Sequence, residues 1–441
     1  MEIMNDVSAP RGKYRSERLF ALFFILACFI ASFIYYIYFF KENGYLPSPF
    51  INDKSNTFMD YFNVLYWAGQ DGRYTEWGSV YPPLNFLLLN LSQIFLNGVG
   101  LGAPENIRDE AFVLIYILTF LYLLMPAMLI STKMWDIFNG LELILIYLII
   151  ISCIPMLFTF ERGNIIILCP VLLAFALSKN NLTRCSFLAI MINIKPYFLI
   201  LVFVYILKRK WASFLVVMLF SFALFTITGL LTDPYFYLFI LNIFNFGNSS
   251  ELFSLRELLS FPSSISVFSY ALQNVDGARF ASDFLDFESI DFLVLMIDNF
   301  KRFLFVFSIS TLVVKRNSLT DIKILTMLVL VIGNLGLSVG GYIVILYICL
   351  IPVFMTLRYS KIYLFLMCAI YSPLDFVILK YDNIGDQFSY LANQSVSVVW
   401  SLGVGAVIRP AANFLLPLVL AFEFLATPKP TFFANPRTPR S

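Results

Sequence analysis

Leu19–Phe40 reads LFALFFILACFIASFIYYIYFF, 22 residues without a charge, and it follows Arg11, Lys13, Arg15 and Arg18. A helix needs about 20 consecutive apolar residues to cross the hydrocarbon core of a bilayer. The stretch is therefore long enough for a full span. It is too long for the h-region of a cleaved signal, and no small-residue cleavage site follows it. The basic residues before it hold the N-terminus in the cytoplasm. The reading is a signal anchor, with residues 1–18 as a short cytoplasmic segment.

The rest of the chain has the same character. Of 441 residues, 60% are hydrophobic, 18% aromatic and 13% charged, against about 25% charged in a soluble domain. Further apolar runs are Leu84–Leu96, Ala111–Ile130, Leu141–Phe160, Ile165–Leu177, Cys185–Leu207, Ala212–Leu231, Phe303–Val314, Ile324–Val339, Tyr342–Leu357, Ile362–Leu379 and Ser395–Leu425. Lipid offers backbone groups no partner, so each run is expected to be helical. The expected fold class is all-α: a polytopic membrane protein with about 10–12 transmembrane helices, plus re-entrant or interfacial helices on the outer face. Residues 19–426 form one membrane domain, and the Pro-rich 427–441 form a disordered cytoplasmic tail.

Sidedness follows from the basic residues. Lys133, Lys179 with Arg184, Lys208-Arg209-Lys210, Lys315-Arg316 with Lys323, Arg358 with Lys361, and the C-terminal tail are expected inside. With the N-terminal segment they collect 18 of the 30 basic residues. Outside lie the first loop, 41–80, and the long 232–299 loop, with nine acids against two arginines. On this threading Leu84–Leu96 begins and ends outside, as a re-entrant or surface-lying helix. Cys185–Leu207 has cytoplasmic signals at both ends and Lys195-Pro196 in its middle, where proline breaks a helix. Two half-helices with Lys-Pro at the apex satisfy both facts; a single kinked span is the alternative.

Composition also excludes chemistry. The chain has no His, which removes imidazole acid–base catalysis, Ser-His triads and His-based metal sites. Its net charge of +2 says nothing about nucleic acid, because the basic residues are spread among loops, and no nucleic-acid partner is expected. The six cysteines sit in apolar runs without a CxxC pair, as small core residues.

Three polar points gather on the expected outer side: Asp60 within Asn56-Thr57-Phe58-Met59-Asp60-Tyr61-Phe62, the turn Glu161-Arg162-Gly163-Asn164, and Lys195. A charge at membrane depth costs several kcal/mol unless it is paired or functional. An acid beside two cations at a membrane boundary suits transfer from a lipid-linked phosphosugar. Cations stabilise the charge that develops on a leaving phosphate, and a carboxylate accepts the proton of an acceptor hydroxyl. Tyr61, Phe62, Tyr66, Trp67, Tyr74, Trp77 and Tyr81 offer flat faces for sugar rings, or form an interfacial aromatic belt. Asp53, Asp71 and Glu76 share the loop as rival acids. Asp60 ranks first because Phe58, Met59, Tyr61 and Phe62 hold it near the boundary.

An Asp past the first span, then Tyr81-Pro82-Pro83 ahead of an apolar helix, then Arg162-Gly163-Asn164 and Asn193-Ile194-Lys195-Pro196, resembles the glycosyltransferase C superfamily. More narrowly it resembles glycosyltransferase family 87, the polyprenyl-phosphate-sugar-dependent, mannosyltransferase-like enzymes. The likeness covers roughly Leu19–Leu231. Beyond it only hydrophobic helices match, with Ser254-Leu255-Arg256 and Ser264–Leu272 loosely like an outer-loop helix. The family commonly carries a His in a late outer loop, where this chain has Gly340-Gly341-Tyr342. The resemblance implies an inverting, hexosyl-type glycosyltransferase of the cytoplasmic membrane of a bacterium, a monomer with both termini inside and the site outside. It needs one base and no metal or cofactor. Asp60 would be catalytic, and Arg162, Lys195 and Arg256 would bind the donor phosphate. Tyr61, Tyr81, Glu161, Asn164 and Tyr342 would contact substrate. The partners would be a polyprenyl-phosphate donor carrying mannose or a similar hexose or pentose, a glycolipid or envelope-glycan acceptor, and membrane lipids. Alternatives are an O-antigen-type polymerase or ligase using Arg256 and Arg279, and a lipid or sugar transporter.

Overall fold

A computed structural model of the protein describes residues 15–47, 50, 57–96, 102–246, 287–335, 341–373 and 375–427. Helix dominates. Among the described residues, four helices are long and apolar enough to cross a membrane: Arg18–Asn43, Phe112–Ile130, Trp211–Thr232 and Ile408–Ala426. Their outward faces are greasy, with Phe24, Ile34, Phe120, Leu219, Phe222 and Leu230 exposed. An apolar exterior of this kind suits lipid better than water. Several apolar helices make this a multi-pass membrane protein.

Most other apolar runs are cut short, and proline does the cutting. Pro83, Pro155, Pro170, Pro196 and Pro352 each open a helix at its first or second position, where a missing N–H costs nothing. The run Leu141–Phe160 is one such case: Gly140–Ser152 and Ile154–Arg162 meet at Cys153 with a 50° bend. An Asn139–Glu142 capping box starts that pair, and Glu142 also takes an ion pair from Arg18.

The expected reversal at Lys195-Pro196 is present. Cys185, ten residues before the break, lies 3.3 Å from the hydroxyl of Tyr205, ten residues after it. A continuous helix would hold those positions about 30 Å apart. The feet of this hairpin join other basic loops. Arg184 and Lys210 both pair with Asp321, Lys208 donates to the carbonyl of Arg316, and Lys315 donates to that of Thr427. Glu423, one turn before Thr427, accepts from the Arg358 N–H. The loops around Arg184, residues 208–210, residues 315–321 and Arg358 therefore share one end of the helical body with Thr427. Lys195 stands about 20 Å up the 14-residue helix Asn181–Ile194, toward the other end.

One departure from an all-α fold concerns Ile362–Leu379 and Ser395–Leu425. Helix Ser360–Tyr371 stops before Pro373, and Val377–Ser389 pairs antiparallel with Gln394–Gly403 in a two-stranded hairpin. The last helix begins only at Val404. Ser395-Val396-Ser397-Val398 alternates polar and apolar, which is a strand period. Val396 and Val398 bury against Phe39 and Tyr45 at the end of the first helix. A second departure is that the helix expected at Phe303–Val314 runs from Phe287 to Lys315, well into the stretch assigned to the outer loop.

Candidate functional site

The site begins with a strained residue. Phe58 sits at φ +62° immediately before helix Met59–Ala68, in the left-handed region that bulky side chains avoid. Its N–H donates to the Glu161 carbonyl at 2.6 Å, and its ring packs edge-on against Phe160 and Tyr390. These contacts hold the chain in place and set Asp60 in the first helical turn. Facing it, helix Ile154–Arg162 ends at Gly163 with φ +67°. A Cβ there would lie 3.0 Å from Tyr61 Cβ and 3.1 Å from the Phe58 carbonyl. Glycine alone permits both the turn and the approach.

That approach closes the central contact. Arg162 donates to Asp60 Oδ1 at 2.9 Å, and Asn164 Nδ2 donates to Asp60 Oδ2 at 2.8 Å. Asn164 is itself oriented, because its Oδ1 accepts the Ile166 N–H at 3.0 Å and caps the short helix Ile165–Leu168. The carboxylate is thus held by a cation on one oxygen and an amide on the other. Each oxygen keeps a further lone pair for an incoming hydroxyl. Arg162 and Asp60 retain 16% and 15% side-chain exposure, enough contact with solvent for exchange of partners.

Tyr81 joins the second half of the site. Lys195 Nζ lies 4.3 Å from the centre of its ring, a cation–π contact, with Asp60 within electrostatic range of the ammonium. Burial, with the Asp60 carboxylate beside it, pushes the Tyr81 phenol above its ordinary range. Asp60, Tyr61, Val64, Tyr81, Asn85, Leu89, Gly163, Asn164 and Ile165 enclose one cavity of about 10 Å³, about the room one water molecule takes.

The remaining candidates fall around this centre. Tyr61 lines the cavity and donates its hydroxyl to Ser92 at 2.7 Å. Glu161 braces the turn, its carboxylate accepting from Thr57 at 3.2 Å. Tyr342 does not line the cavity; it stacks on Phe158 at 6.2 Å, within electrostatic range of Tyr197. Of the rival acids, Asp71 and Glu76 do not line the cavity, and Asp53 lies outside the described residues. So do Arg256, Arg279, Gly340 and Ser264–Leu272. Among the described residues no cluster of three metal-ligating side chains forms, and all six thiols are free.

Sequence reasoning missed four residues. Asn85 donates to the carbonyls of Pro82, Asn193 and Ile194 at 3.3, 3.4 and 3.0 Å, closing the helix end that Lys195-Pro196 leaves open. Tyr197 places a buried hydroxyl, without a partner among the described residues, within electrostatic range of Tyr81. Arg108 is wholly buried; it donates to the Thr57 carbonyl at 3.0 Å and lies 4.1 Å over the ring of Tyr390. Tyr390 is the tip of the β-hairpin. The only sequence signal for any of them was the polar Asn85 inside an apolar run. No protein-family model, no curated protein and no solved structure matches this chain.

Proposed function

We propose that the chain is an inverting membrane glycosyltransferase. It moves a sugar from polyprenyl phosphate to a hydroxyl of a glycolipid or envelope glycan, with Asp60 as general base. One observation carries this reading: residues from four separate motifs meet at Asp60, with Arg162 and Asn164 bonded to it and Tyr81 linking it to Lys195. A structural ion pair would need only Arg162. The added amide, the aromatic face and a lysine with a ring as its close partner suit a polyhydroxylated anion.

In the proposed step the acceptor hydroxyl gives its proton to a free lone pair of Asp60. Its oxygen attacks the anomeric carbon from the face opposite the phosphate. The bond from that carbon to the phosphate oxygen breaks, and its electron pair leaves with the phosphate. Arg162 and Lys195 stabilise the resulting charge. Arg162 has two anionic partners to choose from, the Asp60 carboxylate and the donor phosphate. Turning to the phosphate frees Oδ1 for the acceptor. The cavity holds about one water as it stands, so donor loading goes with an outward movement of its walls.

The setting belongs to the same proposal: a bacterial cytoplasmic membrane, both termini inside, and the site facing out. The shorter apolar helices would complete about 10–12 passes. Grouping of the basic loops at the end away from Lys195 supports this orientation. A carrier remains the second reading, because the bend at Cys153 adds a second broken helix to that at Lys195, and broken helices mark transport sites. Purified protein assayed against a panel of polyprenyl-phosphate sugars separates the two. Asp60→Asn is expected to lower transfer by about 10²–10⁴-fold while the donor still binds. Near-normal transfer by that variant removes Asp60 as base; translocation without transfer by the unaltered protein favours the carrier.

A further inference from the structure

Asn85 holds a buried hydrogen-bonding group that no described residue uses. The residue is wholly buried and lines the Asp60 cavity. Its Nδ2 reaches three carbonyls, those of Pro82, Asn193 and Ile194. Only an N–H end can face three acceptors, so the orientation of the amide is fixed. The Oδ1 end is left buried with no partner among the described residues. A buried polar atom without a partner is destabilising and asks for an explanation. Asn164, on the same cavity wall, shows the contrast: both ends of its amide are engaged.

We infer that Asn85 Oδ1 accepts a hydrogen bond from one hydroxyl of the transferred sugar and so selects which sugar the site takes. The inference rests on the glycosyltransferase reading. An acceptor without a donor calls for a neutral O–H group, not for a phosphate, whose oxygens would repel it. Position narrows the source. The amide is bonded to the carbonyl of Ile194, the residue before Lys195, so Asn85 sits beside the proposed phosphate contact. The sugar directly attached to that phosphate is the nearest polyhydroxylated group. Leu89 and Val64 supply an apolar wall around it, where one hydrogen bond discriminates strongly.

The test uses the full chain in detergent, the polyprenyl-phosphate sugar it prefers, and the monodeoxy forms of that sugar. Binding is read as ligand-dependent thermal stabilisation, and transfer is read alongside. In the unaltered protein, one deoxy position is expected to weaken binding roughly tenfold or more, with the others near the parent. Asn85→Leu is expected to bind the parent as weakly as that deoxy sugar and to stop distinguishing the two. Asn85→Asp keeps the acceptor but loses the donor to the helix end, so it keeps the discrimination even where stability falls. A flat deoxy series in the unaltered protein overturns the inference and leaves the enzyme reading standing, as does loss of discrimination in Asn85→Asp with retention in Asn85→Leu. If no polyprenyl-phosphate sugar is bound or transferred, both fall.

Discussion

A methyl group at Gly163 is expected to push Arg162 away from Asp60. The position needs φ +67° and has Tyr61 Cβ and the Phe58 carbonyl 3.0 and 3.1 Å from where the carbon would sit. Gly163→Ala adds left-handed strain of about 1–2 kcal/mol and forces the turn away from Phe58. The expected outcome is a lower melting temperature in detergent and a loss of transfer larger than that stability change explains. A variant melting lower but transferring normally would show that the turn does not set the Asp60 contact. At this scale much of the candidate site is legible in the sequence. Asp60, Arg162, Asn164, Tyr81 and Lys195 stood out because charges and polar turns are rare in an apolar chain. Asn85, Tyr197 and Arg108 did not, because their roles come from partners distant in sequence. Asn85 meets Ile194, 109 positions away, and no local pattern encodes that meeting.

At the scale of elements, the β-hairpin is the unexpected part, and its tip bears on the site. Tyr390 packs at 6.3 Å from Phe58 and takes the Arg108 guanidinium at 4.1 Å, and Arg108 in turn holds the Thr57 carbonyl. The tip thereby steadies the strained residue that positions Asp60. Tyr390→Ala removes an aromatic and a cation–π contact, together about 1–2 kcal/mol. Hydrogen exchange is expected to quicken at the amides of Phe58 to Phe62 while the hairpin strands stay protected. Unchanged protection there would make Tyr390 a surface ornament of the loop. The hairpin escaped the sequence reading because its second strand runs into the last helix as one apolar stretch. Short apolar runs do not tell strand from helix unless the period is read closely, and Ser395-Val396-Ser397-Val398 had that period. The proline breaks are legible in part: Lys195-Pro196 marks a reversal between two basic loops, while Pro155 sits inside the continuous apolar run Leu141–Phe160, which hides the bend at Cys153.

For the molecule as a whole, the first helix, the segment leading into the hairpin and the last helix are tied at one buried point. Tyr36 donates to Asp375 Oδ2 at 2.7 Å, and Arg409 donates to Asp375 Oδ1 at 2.8 Å. All three residues are at most 2% exposed. Taking such charges out of water is costly, so their presence is not itself a measure of stability. Removing one partner is another matter, because the other charge is then buried alone, at about 3–5 kcal/mol. Asp375→Asn is therefore expected to lower the melting temperature sharply. The pair Asp375→Leu with Arg409→Met, which leaves no charge behind, is expected to be milder than either single change. Because Tyr36 is in the first helix and Arg409 in the last, the single variant should loosen the two ends together, read as matched loss of amide protection in both helices. If the double variant is no milder than the singles, the point is a packing contact and not an electrostatic tie. Asp375 and Arg409 are charges inside two expected apolar runs, so the sequence marks each as needing a partner; it does not say which, since 339 positions separate Tyr36 from Asp375 and 34 separate Asp375 from Arg409.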